Sequence, residues 1–169
     1  MANLITIKKG LDIPLQGMAT SETKEDINTD VFAINPDDFP GYTWKAAVKA
    51  GDEVKSGSPL LYAKECEEIK LTSPVSGKVV EIHRGERRKI EYVSVRREGE
   101  EKVSGFEKSD SLILNLYKSG LFAMMRQRPY DIVPDFNAKP RDIFVTAFDT
   151  APLAPALLDS RNSKYLESG

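Results

Sequence analysis

The chain has 169 residues, enough for one medium domain or two small ones, and its 40% hydrophobic and 30% charged content is that of an ordinary globular protein. Lys and Arg number 24 against 26 Asp and Glu, so no global field points to nucleic acid or to an anionic membrane surface. One cysteine excludes an internal disulfide and fits a reducing cytoplasm, and one histidine argues against a His-based metal cluster or a Ser-His-Asp triad.

In chain order, Leu4-Ile5-Thr6-Ile7 reads as a short strand, followed by an extended piece through Pro14 and Leu15. The apolar run is too short for a signal peptide, and no segment approaches the ~18 apolar residues a membrane span needs. Residues 18–45 are polar and rich in turn formers, with one strand-like run at Val31-Phe32-Ala33-Ile34, and are expected to wrap a sandwich.

The most informative stretch is Val48-Lys49-Ala50-Gly51-Asp52-Glu53-Val54-Lys55-Ser56-Gly57-Ser58-Pro59-Leu60, followed by Ser73-Pro74-Val75-Ser76-Gly77-Lys78-Val79-Val80-Glu81-Ile82. Gly51 and Gly57 are turn residues around a short strand whose apolar positions are Val54, Leu60 and Leu61. Pro74 and Gly77 punctuate the second half in the same way. This pair of motifs resembles the biotinyl/lipoyl-carrier fold, a flattened β-sandwich of short strands. Carriers of that kind bear a lysine on the hairpin between the motifs, and counting back from Gly77 puts Cys66 there. Lys64, two residues away, reads as a solvated surface residue. The resemblance therefore implies the scaffold without the swinging arm.

Farther on, Lys78–His83 and Arg88–Arg96 are strand candidates around Arg84-Gly85-Glu86-Arg87, where Gly-Glu suits a primed hairpin turn. Ser109 or Asp110 caps a predicted helix starting at Ser111, which Gly120 stops, and Leu121–Arg126 is a second helical turn. Ile143–Phe148 reads as a strand buried in an α/β sheet. One helix and one strand cannot close such a sheet, so the chain is expected to be part of a longer subunit. The fold class expected is α+β and mainly β. Residues 1–104 form a biotinyl/lipoyl-carrier-like barrel-sandwich hybrid domain with its wrapping N-terminal segment, and 105–169 open a Rossmann-like α/β domain.

Four stretches carry a closer resemblance: Ile7–Pro14, the Val48–Leu60 turn block, Arg84-Gly85-Glu86-Arg87-Arg88-Lys89, and Gln127-Arg128-Pro129-Tyr130 with Phe144–Thr150. In this order and spacing they resemble the A subunit of the bacterial Na+-translocating NADH:quinone oxidoreductase. The resemblance implies a peripheral component at the cytoplasmic face of the inner membrane, held by other subunits of the complex, with a role in assembly and in quinone interaction. NADH, flavins and iron–sulfur centres belong, on the same resemblance, to other subunits, so no cofactor is expected in this chain. Two alternatives stand beside it. One is the corresponding subunit of the related Rnf-type electron-transfer complex, and the other a non-catalytic β-hybrid interaction module. A true carrier domain would show a covalent adduct near Lys64.

Among single residues, Arg84, Arg87, Arg88 and Lys89 form the sharpest local charge feature. They read either as a solvated hairpin tip or as a docking contact to an acidic face of another subunit. No aromatic interleaving accompanies them, which argues against nucleic acid. His83 reads as a strand-end residue. The acidic neighbours of Cys66 (Glu65, Glu67, Glu68) argue against a nucleophilic thiolate, and they lack the interleaved pattern of a calcium loop. Asp149 ends the last predicted strand, where α/β sheets gather ligands, and reads either as a pocket position or as a turn residue. No Gly-x-Gly-x-x-Gly or Walker-type loop occurs, so NADH binding is not expected here, and neither a catalytic residue nor a metal ligand is assigned.

Overall fold

The computed structural model describes residues 15–17, 29–146 and 153. By backbone contacts the chain divides into two compact units, Met1–Asp26 with Pro140–Gly169, and Ile27–Lys139. The second unit carries the described elements. These are β1 (Val31–Ile34), β2 (Trp44–Ala46), β3 (Glu53–Val54), β4 (Pro59–Ala63), β5 (Lys70–Thr72), β6 (Gly77–Arg84), β7 (Ile90–Arg97) and α1 (Leu112–Ser119).

The strands form two antiparallel sheets. One has four strands in the order β1-β7-β6-β3, and the other three in the order β2-β4-β5. Each sheet sends one apolar row inward: Leu60, Leu61, Leu71 and Ala63 from one, Val79, Val93, Val95 and Val54 from the other. Leu60 and Leu61 are adjacent, yet both are fully buried. A β-bulge between Pro59 and Leu61 breaks the alternation and turns both side chains to the core. Among the described residues the strand at 31–34 is an edge strand of the larger sheet, with Phe32 opposite Val95 and packed against the core, so it belongs to the sandwich instead of wrapping it.

Two glycines admit no side chain. A Cβ on Gly77 would lie 1.8 Å from the carbonyl oxygen of Arg96, and one on Gly57, at φ 87°, would lie 2.9 Å from that of Ser104. Gly51 also takes a left-handed φ, at 94°. Pro74 sits on the crossing from β5 to β6, flanked by buried Ser73 and Ser76. The Ser76 hydroxyl donates to the Lys102 carbonyl at 2.6 Å and accepts the amides of Lys102 and Ser56, fastening the segment after β7 to the β3–β4 turn. Ser94 lies buried between Val93 and Val95, where an exposed polar position is expected from alternation. Its hydroxyl donates to the Glu81 carbonyl at 3.5 Å.

Helix α1 is capped by Ser111, not by Ser109 or Asp110. The chain turns at Ser109, whose amide donates to Asn115 Oδ1 and whose carbonyl accepts from Asn115 Nδ2, both at 2.8 Å, so the helix starts after that clasp. Gly120, at φ 80°, ends it. Leu121–Met124 then forms a 3-10 turn that buries Phe122 edge-on against Tyr117, 4.6 Å between ring centres.

Two further expectations are corrected. Of the strand expected at Ile143–Phe148, residues 147 and 148 lie outside the described residues, and residues 143–146 form no strand, with Phe144 and Val145 each 89% exposed. A strand buried on both faces needs a pairing partner on each edge, and among the described residues none pairs with them. The hairpin between β6 and β7 has no two-residue primed turn. Five residues separate the strands, closed by a bond from the Gly85 amide to the Lys89 carbonyl at 2.9 Å. Gly85 has φ −88°, while Arg87 and Arg88 take the positive values, 53° and 61°. The strand expected at 4–7 lies outside the described residues.

Candidate functional site

The β6–β7 hairpin overhangs the turn between β1 and β2. On the turn side, Asn35 caps a 3-10 turn at Pro36–Asp38, its Oδ1 accepting the Asp37 amide at 2.9 Å, and an aromatic cluster follows. Trp44 is buried, donates Nε1–H to the Phe39 carbonyl at 2.9 Å, and meets the rings of Phe39 and Tyr42 at 6.4 and 5.9 Å. The Arg126 guanidinium lies over the Phe39 ring, 5.7 Å from its centre, and donates to the Asp38 carbonyl. Tyr42 donates its hydroxyl to the Pro134 carbonyl at 2.7 Å, and burial, reinforced by the nearby Asp135 carboxylate, pushes its pKa up to about 12.

Between this aromatic wall and the hairpin lies an open cleft of about 690 Å³. Arg84, Arg87, Arg88 and Lys89 line one side, and Phe39, Tyr42, Trp44 and Tyr62 line the other. The structure therefore brings the four basic residues together on a concave surface. The Arg84 guanidinium donates to the Arg88 carbonyl at 3.2 Å and braces the tip, and Lys89 pairs with Asp37 at 2.6 Å. Among the described residues no carboxylate pairs with Arg84, Arg87 or Arg88, and Asp37 is the cleft's lining carboxylate. The two arginines in left-handed conformation store about 1 kcal/mol or more of strain apiece, a pattern that concentrates at working sites.

The aromatic half of this cleft is not among the features expected from sequence. Its local signal is the block Phe39-Pro40-Gly41-Tyr42-Thr43-Trp44, three aromatics in six residues around a Pro-Gly turn, inside a segment whose composition is otherwise polar.

The other single residues are scattered. Cys66 sits half-buried at the tip of the β4–β5 hairpin. That tip is tied down: the Glu65 carboxylate accepts the Thr43 amide at 3.1 Å. Burial works to raise the Glu65 carboxyl, but hydrogen bonds from Thr43 and from its own backbone, with the Lys64 charge, together outweigh it and hold the group below its usual range. Lys64 is exposed. His83 stacks on Tyr92, with 4.8 Å between ring centres, and has Glu81 at 3.1 Å and Glu91 at 3.5 Å. Burial and Glu81 together raise the Tyr92 phenol above its ordinary range, with burial the larger cause. Asp149 lies outside the described residues. No helix among the described residues is long and apolar enough to cross a membrane.

Comparison with known proteins places two family models on the chain in order. The NqrA N-terminal barrel-sandwich hybrid domain matches residues 5–98, and the NqrA second alpha/beta domain matches residues 107–165. The chain is 35% identical over 178 residues to the A subunit of the Na(+)-translocating NADH-quinone reductase of Vibrio vulnificus strain YJ016, covering 98% of this chain and 40% of the relative. It is 38% identical over 157 residues to the protein of the same name from Marinomonas sp. strain MWYL1, covering 88% of this chain and 35% of the relative. The Pasteurella multocida protein of that name is 34% identical over 178 residues, covering 98% of this chain and 40% of the relative. The chain thus spans about 40% or less of the length of these relatives.

Proposed function

This chain belongs to the NqrA family, and on that premise we propose that it serves as a peripheral, docking part of a Na+-translocating NADH:quinone reductase. The observation that carries the proposal is the run of family resemblance through both domains in order, joined to a cleft whose arginines have no carboxylate partner among the described residues. The complex oxidises NADH, reduces quinone and moves Na+. In this reading the chain contributes assembly contacts and part of the surroundings of quinone, and does not turn over by itself. NADH, flavins and iron–sulfur centres sit on other subunits. The chain reaches the cytoplasmic face of the bacterial inner membrane through those partners.

The division proposed is a β-rich part, 1–104, followed by an α/β part, 105–169. The change from strands, ending with β7 at Arg97, to helix, starting with α1 at Leu112, supports it, and it falls inside the compact unit Ile27–Lys139. Arg84, Arg87, Arg88 and Lys89 are the proposed docking contact, because guanidinia with no carboxylate partner among the described residues, set on a concave surface, favour an acidic partner and fix its register. The anchoring of Glu65 to Thr43 supports a scaffold role over a carrier role, since it holds down the hairpin that a swinging arm would need free.

The test is purification of the tagged, full-length gene product from its native membranes. Recovery with further subunits that carry flavin and an iron–sulfur centre is the expected result. Recovery of the chain alone, from membranes that retain NADH:quinone reductase activity, would overturn the proposal.

A further inference from the structure

The geometry points to a strand-addition site: the outer edge of β2 accepts an extended, acidic segment of a partner protein, which lies along the cleft under the basic tip. This deepens the docking role proposed for Arg84, Arg87, Arg88 and Lys89 and rests on it. Among the described residues β2 ends its sheet, paired with β4 alone. In an antiparallel pair the two backbone polar groups of one residue point to the same side, and successive residues alternate. The Lys64 amide donates to the Thr43 carbonyl at 2.8 Å, and the Ala47 amide to the Leu60 carbonyl at 2.9 Å, so Thr43 and Ala47 face β4. The intervening Trp44 and Ala46 therefore turn their N–H and C=O groups to the outer edge.

That edge borders the cleft. Thr43, Trp44, Lys45 and Ala46 all line it, four residues in succession. A sheet face would present only every second residue, so the cleft runs along the backbone edge. An added strand finds there the main-chain donors and acceptors that give affinity in β-augmentation. Its charge is set by what surrounds it. Lys45, Arg84, Arg87 and Arg88 line the same space, and the one lining carboxylate among the described residues, Asp37, is already held by Lys89. A basic or neutral segment would leave these cations facing one another across the cleft, whereas carboxylates on alternate residues of the added strand would meet them. A small polyanion would use the arginines but has no use for the unpaired strand edge, so the extended acidic segment accounts for more of what is there.

The probe is an acetylated heptapeptide of alternating glutamate and valine, titrated into isotope-labelled protein. Its lysine–valine counterpart and a version N-methylated at every second residue serve as comparisons. The expected result is saturable, salt-sensitive binding of the first peptide alone. The Trp44 and Ala46 amide hydrogens should exchange at least tenfold more slowly in its presence. Arg88→Glu should weaken binding at least tenfold, and so should Ala46→Pro, which removes one outward donor without touching the ladder to β4. Should Ala46→Pro fold poorly, exchange in the unaltered protein still decides.

Failure of the first peptide to bind overturns the inference, as does equal binding of the N-methylated peptide, or binding that leaves both amides unprotected. Saturation by inorganic tripolyphosphate with no peptide binding also overturns it, and makes the tip a small-anion site. The broader docking role is tested separately. If Arg88→Glu releases the full-length protein from its complex while the amides stay unprotected, docking by charge stands and strand addition falls.

Discussion

Lys89 and Asp37 meet at 2.6 Å across 52 residues of chain, tying the basic hairpin tip to the turn that leads into the aromatic wall. The two side chains are 61% and 57% exposed, so solvent screens the pair and its stabilisation is about 1 kcal/mol at most. Its larger effect is on charge. Asp37→Asn leaves Arg84, Arg87, Arg88 and Lys89 with no ion-pair partner among the described residues and removes the Asp37 carboxylate from the cleft. The expected outcome is a denaturation midpoint close to that of the unaltered protein, with tighter binding of an acidic probe and a steeper loss of that binding with salt. Weaker binding would mean that the pair positions the tip more than it neutralises it.

Tyr42 gives a pH-dependent handle on the same wall. Its phenol is shifted from 10.0 up to about 12 by burial, so the folded state holds the proton after the unfolded chain has lost it. Its contribution to stability is therefore fully present below pH 10, and is lost as pH rises from there through about 12. Tyr42→Phe removes the hydrogen bond to Pro134, costs about 1 kcal/mol at neutral pH, and flattens part of the alkaline decline. Urea unfolding at a series of alkaline pH values reads both effects. Tyr117, raised in the same direction chiefly by burial, keeps some decline in the variant.

Much of the sandwich is legible in the sequence because its punctuation is local. Gly57 and Gly77 mark places where another backbone comes too close for a Cβ, and Val93 and Val95 share a period of two. The cleft is less legible, because it joins residues 36–46 to residues 84–90 through β7 and no local pattern reports that contact. The positive φ at Arg87 and Arg88 runs against propensity, since Gly85 beside them is the residue suited to it. Tertiary context decides the turn: the Gly85 amide closes the loop on the Lys89 carbonyl, with Gly85 at φ −88°, and the positive φ falls two and three residues later. The apolar run at 143–146 shows the opposite failure. Composition alone reads it as buried strand, but burial requires partners that the run itself does not name.

Gly77→Ala tests the closest backbone approach in the sandwich. The new methyl would sit 1.8 Å from the Arg96 carbonyl oxygen, at the point where β6 pairs with β7 and β3. Neither neighbour is a flexible side-chain end, so the ladder itself must open. The expected cost is about 3 kcal/mol or more, seen as a large drop in the unfolding midpoint. Gly51→Ala is the control: its Cβ meets nothing within 4 Å, and only the strain of φ 94° remains, about 1 kcal/mol.

The strained arginines separate stability from function most cleanly. Arg87 and Arg88 hold φ of 53° and 61°, which glycine adopts freely and an arginine does not. If the tip existed only to join two strands, Arg88→Gly would be an improvement without a penalty. The strain it relieves is about 1 kcal/mol, offset in part by the greater freedom of glycine in the unfolded chain. A docking role sets the opposite requirement, because the guanidinium at that position is then what the conformation is held for. Arg88→Gly is thus expected to leave the unfolding midpoint unchanged or slightly raised, while weakening retention in the purified complex. Arg88→Lys keeps the charge but not the forked donor geometry, and should restore part of that retention. Equal retention across all three proteins would assign the tip to simple solvated surface, with the two positive φ values left as a cost of its five-residue loop.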